Sequence, residues 1–173
     1  MRRRRYIGCR TTRANSKPDN QMARFLRIPF LLVFVLATAC MEDSPFVPNI
    51  EETNFDPSLN VDLEASTKTA SGLYYRDIIV GGGAQVPATG TAAVTTTYEL
   101  YLRNGDLVQS GTFPFTVGAA GTIPGYDEGV RGMRVGGQRQ LIIPPSLGYG
   151  EDAYAGIPGN SILVYFVVLT AID

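Results

Sequence analysis

Residues 123–137 read I-P-G-Y-D-E-G-V-R-G-M-R-V-G-G, and the fold prediction begins from this stretch. Pro124 suits the first turn of a helix, and the two acidic residues that follow suit its positive end. Val130 and Met133 form an i, i+3 apolar pair, and two glycines then end the pattern. The stretch therefore predicts one short helix over residues 124–133.

Strand signals lie on both sides of this helix. Runs rich in β-branched, aromatic and apolar residues occur at 74–80, 93–102, 107–109, 113–117, 138–143 and 162–171. Asn104-Gly105 predicts a hairpin with a type I′ turn, because both central positions of that turn need φ > 0. Many strands and one helix predict an α+β domain over residues 71–173, with an antiparallel sheet packed on the helix.

The composition excludes several classes of catalyst. The chain has no histidine, two cysteines and only two lysines, Lys17 and Lys68. Ser-His-Asp triads, Cys-His pairs and H-E-x-x-H zinc sites cannot be built from these residues, so we predict no metal site. The domain instead carries aromatic side chains near its loops. These suit a chemistry that works through an apolar pocket and a few hydrogen bonds.

The charges divide the chain into two parts. Residues 1–40 carry a net charge of +8, and residues 41–173 carry −9. The arginine run at 2–5 is open to interpretation as a nucleic-acid-binding arm. The acidic remainder gives no reason to expect such binding, so we predict no nucleic-acid partner.

An uncharged apolar run precedes a cysteine near the N-terminus. Residues 28–39 are twelve residues without a charge, preceded by two arginines. A membrane-spanning helix needs ~20 apolar residues, whereas ~7–15 is the length of a signal-peptide core. Residues 22–39, ending in small residues before Cys40, resemble a bacterial lipoprotein signal. An ordinary secretory signal with a chance cysteine is the alternative. Residues 1–21 are interpreted as a start-site extension, with a cytoplasmic arm as the alternative.

The lipoprotein resemblance implies that lipidated Cys40 anchors the protein in the bacterial cell envelope. Met41, rather than aspartate, follows the cysteine, which implies the outer membrane facing the periplasm if the envelope is Gram-negative. Residues 41–70 contain three prolines and seven acids without a helical or strand period. We therefore predict that residues 40–70 form a disordered tether, with a short helix at 58–65 as the alternative.

Three motifs of the domain are similar to one known family. These are the stretch at 123–137, L-I-I-P-P-S-L-G-Y-G at 141–150 and G-I-P-G-N-S-I-L-V-Y at 156–165. They resemble the FKBP-type peptidyl-prolyl cis-trans isomerases. The resemblance implies a curved antiparallel sheet over one short helix, and isomerisation of X-Pro bonds in unfolded or extended exported proteins. It implies no cofactor, and it implies that macrolide inhibitors bind the pocket.

The resemblance also implies a set of site residues. Tyr98, the backbone N–H of Ile123 and the hydroxyl of Tyr149 take the catalytic positions. The substrate-binding positions fall on Val108, Gln109, Phe113, Phe115, Thr122, Tyr126, Ile157 and Tyr165. Two departures stand out: Val108-Gln109 replaces the family's usual Phe-Asp, and tyrosines replace its tryptophan at 126 and phenylalanine at 165. A peptide-binding or chaperone-like module with weakened catalysis is therefore the alternative function.

Overall fold

The structure, a computed structural model, describes residues 47–173. The predicted signal region and Cys40 lie outside these residues. Six strands form one sheet in the order β1-β2-β5-β6-β3-β4, and every neighbouring pair is antiparallel. One α-helix within the described residues, α1, packs on the sheet, and we call the face that it covers the inner face. The elements are β1 Thr67–Lys68, β2 Tyr74–Ile79, β3 Ala92–Leu102, β4 Leu107–Val117, α1 Pro124–Val130, β5 Gln138–Ile143 and β6 Leu163–Ile172.

The predicted α+β class is confirmed, and two boundaries differ from the prediction. The strands predicted at 107–109 and 113–117 are one continuous edge strand, β4, which accommodates Pro114 because an edge strand has an unpaired side. The helix ends at Val130 rather than at residue 133. Arg131 is already extended, and Gly132 has φ +75°. No helix within residues 47–173 has the length and apolar character needed to cross a bilayer.

The prediction of a type I′ turn between β3 and β4 is wrong. Gly105 has φ +86°, but Asn104 is not among the residues with positive φ. The Gly105 N–H donates to the Leu102 carbonyl at 3.0 Å, and the Asn104 side-chain oxygen accepts the Asp106 N–H at 3.2 Å. The asparagine side chain thus supports a three-residue loop that needs only one left-handed residue.

Two glycines let α1 approach β5 closely. A Cβ atom placed on Gly125 would lie 2.5 Å from Ile143 Cγ2, and one placed on Gly129 would lie 2.5 Å from Leu141 Cδ1. Such distances are shorter than van der Waals contact, so a Cβ atom at either glycine would collide with Ile143 or Leu141 unless that side chain shifts. Leu141 and Ile143 are fully buried in the main core beneath the helix.

A buried arginine on β5 fixes the C-terminal end of α1. Arg139 Nη1 donates to the carbonyls of Gly129 and Arg131, each at 2.9 Å. Its Nε and Nη2 atoms donate to the two carboxylate oxygens of Asp77 at 2.7 and 3.1 Å. The guanidinium therefore satisfies carbonyls that the short helix leaves unpaired, and the helix is held at both its packing face and its end.

Residues 47–66, which we call the N-terminal segment, are not the predicted disordered tether. They contain two 3₁₀ helices, Ile50–Glu52 and Pro57–Leu59. Ile50 and Leu59 are buried, 4% and 2% exposed. Ile50 packs in a second apolar cluster with Tyr74, Ile142 and Ile162, separate from the main core. Apolar burial thus orders a segment whose sequence lacks a regular period.

Hydrogen bonds reinforce this contact. The buried Gln140 side chain donates to the Leu59 carbonyl at 2.7 Å, and Arg76 donates to the Asn60 carbonyl at 2.7 Å. Glu51 accepts from Lys68 at 2.7 Å and from the Tyr74 hydroxyl at 2.6 Å. These bonds hold the pKa of Glu51 below its usual value, and the bond from Lys68 is the largest cause. The sheet is therefore covered on both faces, by α1 on one and in part by the N-terminal segment on the other.

We predict that Leu59→Ala lowers the free energy of unfolding by about 2–5 kcal/mol, because it empties a buried leucine site. Val47→Ala is the matched control, since Val47 is 55% exposed; we expect a change within ~0.5 kcal/mol. Urea unfolding of the full chain measures both. An unchanged midpoint in Leu59→Ala would mean that the N-terminal segment does not contribute to the stability of the domain.

Candidate functional site

Five aromatic rings meet on the inner face beside the first turn of α1. Tyr126 is at their centre and is 2% exposed. The ring centroids lie 6.2 Å away for Tyr98, 6.2 Å for Phe113, 5.6 Å for Phe115 and 5.1 Å for Tyr165. Phe113 and Phe115 are stacked at 5.1 Å on the same side of β4. The structure thus brings together five predicted site residues, from α1 and three strands, into one aromatic cluster.

The hydroxyl of Tyr126 has a buried partner. Its oxygen lies 2.8 Å from Thr96 Oγ1, and Thr96 Oγ1 lies 3.2 Å from the Phe113 carbonyl oxygen. Thr96 has no exposed surface. Sequence analysis did not select Thr96, although strand alternation places it on the same face as Tyr98. Tyr126 stands where the family usually has tryptophan, and its hydroxyl needs a hydrogen-bond partner when it is buried. This requirement is the sequence signal that could have found Thr96.

Burial raises the pKa of three tyrosines in the cluster, Tyr98, Tyr126 and Tyr165. The neighbouring Tyr149 is a further cause for Tyr98 and Tyr165, and the bond to Thr96 opposes the rise for Tyr126. Because the charged phenolate form is disfavoured, all three remain protonated at neutral pH. The aromatic cluster therefore carries no charge at neutral pH.

Tyr149 lies on the loop before β6 and is stacked by a second tyrosine from the same loop. The rings of Tyr149 and Tyr154 are 4.5 Å apart and nearly parallel, at 14°. Tyr149 is half-buried, whereas Tyr154 is 57% exposed. Sequence analysis assigned no site role to Tyr154. The stack fixes the plane of the Tyr149 ring from its outer side.

A tight turn presents Tyr154 in this position. The backbones of Tyr154 and Ile157 exchange two hydrogen bonds, at 2.9 and 2.8 Å. Ala155 and Gly156 between them have φ of +47° and +88°, so this two-residue turn has the positive φ values of type I′. Ile157 is 3% exposed and packs in the main core. The loop is thus anchored by Ile157 and closed by its own backbone pairing.

The predicted backbone donor precedes α1. Ile123 is half-buried and extended, with φ −66° and ψ 144°. Its carbonyl accepts from the N–H groups of Tyr126 at 3.0 Å and Asp127 at 3.2 Å, while its own N–H has no hydrogen-bond acceptor within residues 47–173. Thr122 beside it is half-buried. Ile123 therefore keeps a donor available next to the aromatic cluster.

Val108 and Gln109, which replace the family's usual Phe-Asp, differ in burial. Val108 is half-buried and packs against the main core, so it supplies an apolar surface. Gln109 lies opposite Leu100 in the pairing of β3 with β4 and is exposed. The carboxylate that the family usually has at this position is therefore replaced by an exposed amide.

Within residues 47–173, no three Asp, Glu or Cys side chains form a group that could hold a metal ion. A cleft of about 720 Å³ lies elsewhere, between the N-terminal segment, the β3–β4 hairpin and the loop before β6. Its lining is rich in asparagine, with Asn49, Asn54, Asn104 and Asn160, and does not include the aromatic cluster. The chemistry of the side chains, rather than the size of a cavity, marks the candidate site.

Fold and site together define a small α+β domain with an aromatic pocket and neutral hydrogen-bond donors around it. Residues 84–170 match the family model described as FKBP-type peptidyl-prolyl cis-trans isomerase. This chain belongs to that family. The resemblance predicted from the three motifs is thereby confirmed.

The chain is also similar to individual proteins of known name or structure. FK506-binding protein 3 of Candida albicans is 40% identical over 111 residues, which are 61% of this chain and 26% of the relative. FK506-binding protein 2 of Dictyostelium discoideum is 50% identical over 82 residues, which are 44% of this chain and 62% of the relative. The crystal structure of FkpA from Escherichia coli has a TM-score of 0.56 at 30% identity, over 64% of this chain and 52% of that one. The chain thus spans less than two thirds of each.

Proposed function

We propose that this domain accelerates the cis–trans isomerisation of X-Pro peptide bonds. The uncatalysed reaction takes tens to hundreds of seconds, because amide resonance sets a barrier of ~18–20 kcal/mol. The observation that supports the proposal is the cluster of four rings around Tyr126, with the unpaired N–H of Ile123 beside it. Such a site can hold a proline ring and a carbonyl group at the same time.

The chemistry follows from the nature of the twisted amide. Rotation about the C–N bond uncouples the nitrogen lone pair from the carbonyl, so the twisted state is less polarised than the planar one. A dry aromatic pocket therefore favours the twisted state over the planar state, which is the differential binding that catalysis requires. The Ile123 N–H and the Tyr149 hydroxyl fix the substrate carbonyls, while Tyr98 and Phe113 bound the proline. No group has to lose or gain a proton.

Its substrates are proline-containing segments of unfolded or extended polypeptides, which can bring a proline to the aromatic cluster. The curated relatives are named FK506-binding proteins. We propose that the same aromatic pocket binds FK506-type macrolides, which would then compete with peptide substrates.

The test is isomerisation of a Leu-Pro or Phe-Pro peptide by the purified full chain. We expect clear acceleration, inhibition by FK506, and a loss of about tenfold in kcat/KM for Tyr149→Phe, equivalent to one donor worth ~1.4 kcal/mol in the transition state. Tyr101→Phe is the matched control. Tyr101 lies on β3 as Tyr98 does, but its hydroxyl bonds Glu99 and its ring packs on Phe166, away from the aromatic cluster.

Failure to accelerate isomerisation, in a protein that is folded by circular dichroism, would contradict the proposal. Peptide binding without acceleration would instead support the alternative function, a peptide-binding or chaperone-like module. The exposed Gln109, where the family usually has a carboxylate, is the observation that favours this alternative.

We further propose that the mature protein is lipidated on Cys40 and held in a bacterial cell envelope, at the periplasmic face of the outer membrane if the envelope is Gram-negative. The uncharged run at 28–39 and the small residues before Cys40 support this proposal. Six residues, 41–46, lie between the cysteine and the first described residue, and the seven Cα–Cα steps from Cys40 to Val47 can span at most ~25 Å. Because the N-terminal segment packs on the domain, the stretch between Cys40 and the domain is much shorter than the tether predicted over residues 40–70.

Labelling of expressing cells with an alkyne fatty acid tests this proposal. We expect label on the wild-type chain and on Cys9→Ser, and none on Cys40→Ser. Cys9 is the matched control because it is the only other cysteine. A secreted protein without label would show an ordinary secretory signal. Label lost in Cys9→Ser would also contradict the assignment.

A further inference from the structure

Thr96 is an unusual residue for its position. Within residues 47–173, only three polar or charged residues are buried: Thr96, Arg139 and Gln140. Arg139 holds the end of α1, and Gln140 holds the N-terminal segment. Thr96 contacts neither of these. Since a buried hydroxyl is costly without partners, its partners indicate its role.

One assignment of donors gives both hydroxyl protons an acceptor. A carbonyl can only accept, so Thr96 donates its hydroxyl proton to the Phe113 carbonyl at 3.2 Å. The Thr96 oxygen is then the acceptor for the Tyr126 hydroxyl at 2.8 Å. Tyr126 is thereby connected through Thr96 to the backbone of β4, the strand that carries Phe113 and Phe115.

This connection links two parts of the pocket that come from different elements. Tyr126 comes from α1, and the two stacked phenylalanines come from the edge strand β4. Ring contacts at 6.2 and 5.6 Å hold the Tyr126 ring against this wall, and the hydroxyl chain adds a hydrogen-bonded link to the same strand. The polar end of the ring is also kept buried at the sheet and away from the substrate.

We propose that Thr96 is a positioning residue of the substrate pocket, which fixes the Tyr126 ring relative to Phe113 and Phe115 through its two hydrogen bonds. The proposal rests on the proposed isomerase function for its catalytic consequence. It adds that Thr96 and Tyr126 act as one unit. Thr96 can be replaced by an apolar residue only if the Tyr126 hydroxyl is removed as well.

A double-mutant cycle in the full chain tests this coupling. Thr96→Val leaves the Tyr126 hydroxyl buried without an acceptor, and we expect kcat/KM to fall by about tenfold. Thr96→Ser keeps both hydrogen bonds, so we expect it to stay within about threefold of wild type. Tyr126→Phe leaves the Thr96 bond to Phe113 intact, and we expect a loss of about threefold.

The decisive variant is Thr96→Val combined with Tyr126→Phe. It removes both hydroxyls, so neither one stays buried without its hydrogen-bond partner. We therefore expect kcat/KM to recover to within about threefold of wild type. Thr97→Val is the matched control, because Thr97 is the next residue of β3 and faces the opposite side of the sheet. A double variant as weak as Thr96→Val would overturn the proposal, and so would an unchanged kcat/KM in Thr96→Val.

A readout independent of activity separates this inference from the proposed function. The aromatic ¹³C–¹H signals of Phe113 and Phe115 should move in Thr96→Val and return towards wild type in Thr96→Ser. Ring signals that do not move in Thr96→Val would overturn the inference even in an active enzyme. If the wild-type chain accelerates no isomerisation, the isomerase proposal fails, and these signals alone decide the role of Thr96. A Thr96→Val chain that folds only together with Tyr126→Phe would also support the coupling.

Discussion

The close contact of α1 with β5 is the constraint on which the rest of the structure depends. Gly125 and Gly129 allow the helix backbone to approach Leu141 and Ile143 where a side chain would collide. Tyr126 lies between these two glycines in sequence, so the same approach carries its ring into the sheet. The buried Arg139 then satisfies the end of the helix from the same strand that the glycines contact. The packing of one short helix therefore determines where the centre of the site lies.

The chemistry of the site follows from that burial. A ring held under the sheet is dry, and its neighbours are other rings rather than charges. Desolvation raises the pKa of Tyr126 and Tyr165 and keeps them neutral, and we propose that it also favours a twisted, less polar amide. The donors that we propose for a substrate, the Ile123 N–H and the Tyr149 hydroxyl, come instead from segments beside the helix and before β6. The mechanism that we propose needs no proton transfer, so it is compatible with a chain without histidine.

The sequence predicted the strands and the helix because their apolar patterns are local. It missed features that depend on contacts between distant segments. The N-terminal segment has no period of its own and is ordered by Ile142 and Ile162, which lie far along the chain. The type I′ turn was predicted at Asn104-Gly105, where a side-chain bond selects another turn, and such a turn is found instead at Ala155-Gly156. The substrate contacts predicted from the family resemblance stay predictions, although the structure brings their rings together.

Thr96 shows why a site is harder to predict than a fold. Its pattern on β3 is that of any inward-facing strand residue, and only the hydroxyl of Tyr126 gives it a partner. A substitution at one position of the pocket therefore requires a compatible residue on another element. Comparison of single positions with a family pattern does not show this pairing, whereas the buried hydrogen bonds do.

The most direct test of a pocket that catalyses without proton transfer is the pH dependence of kcat/KM for a Leu-Pro peptide between pH ~6 and ~9. The chain has no histidine, and burial raises the pKa of Tyr98, Tyr126 and Tyr165 away from this range. These hydroxyls stay protonated throughout, so we predict a flat profile. A bell-shaped or stepped profile, with wild-type stability unchanged over the same range, would show that a titrating group takes part and would contradict the account.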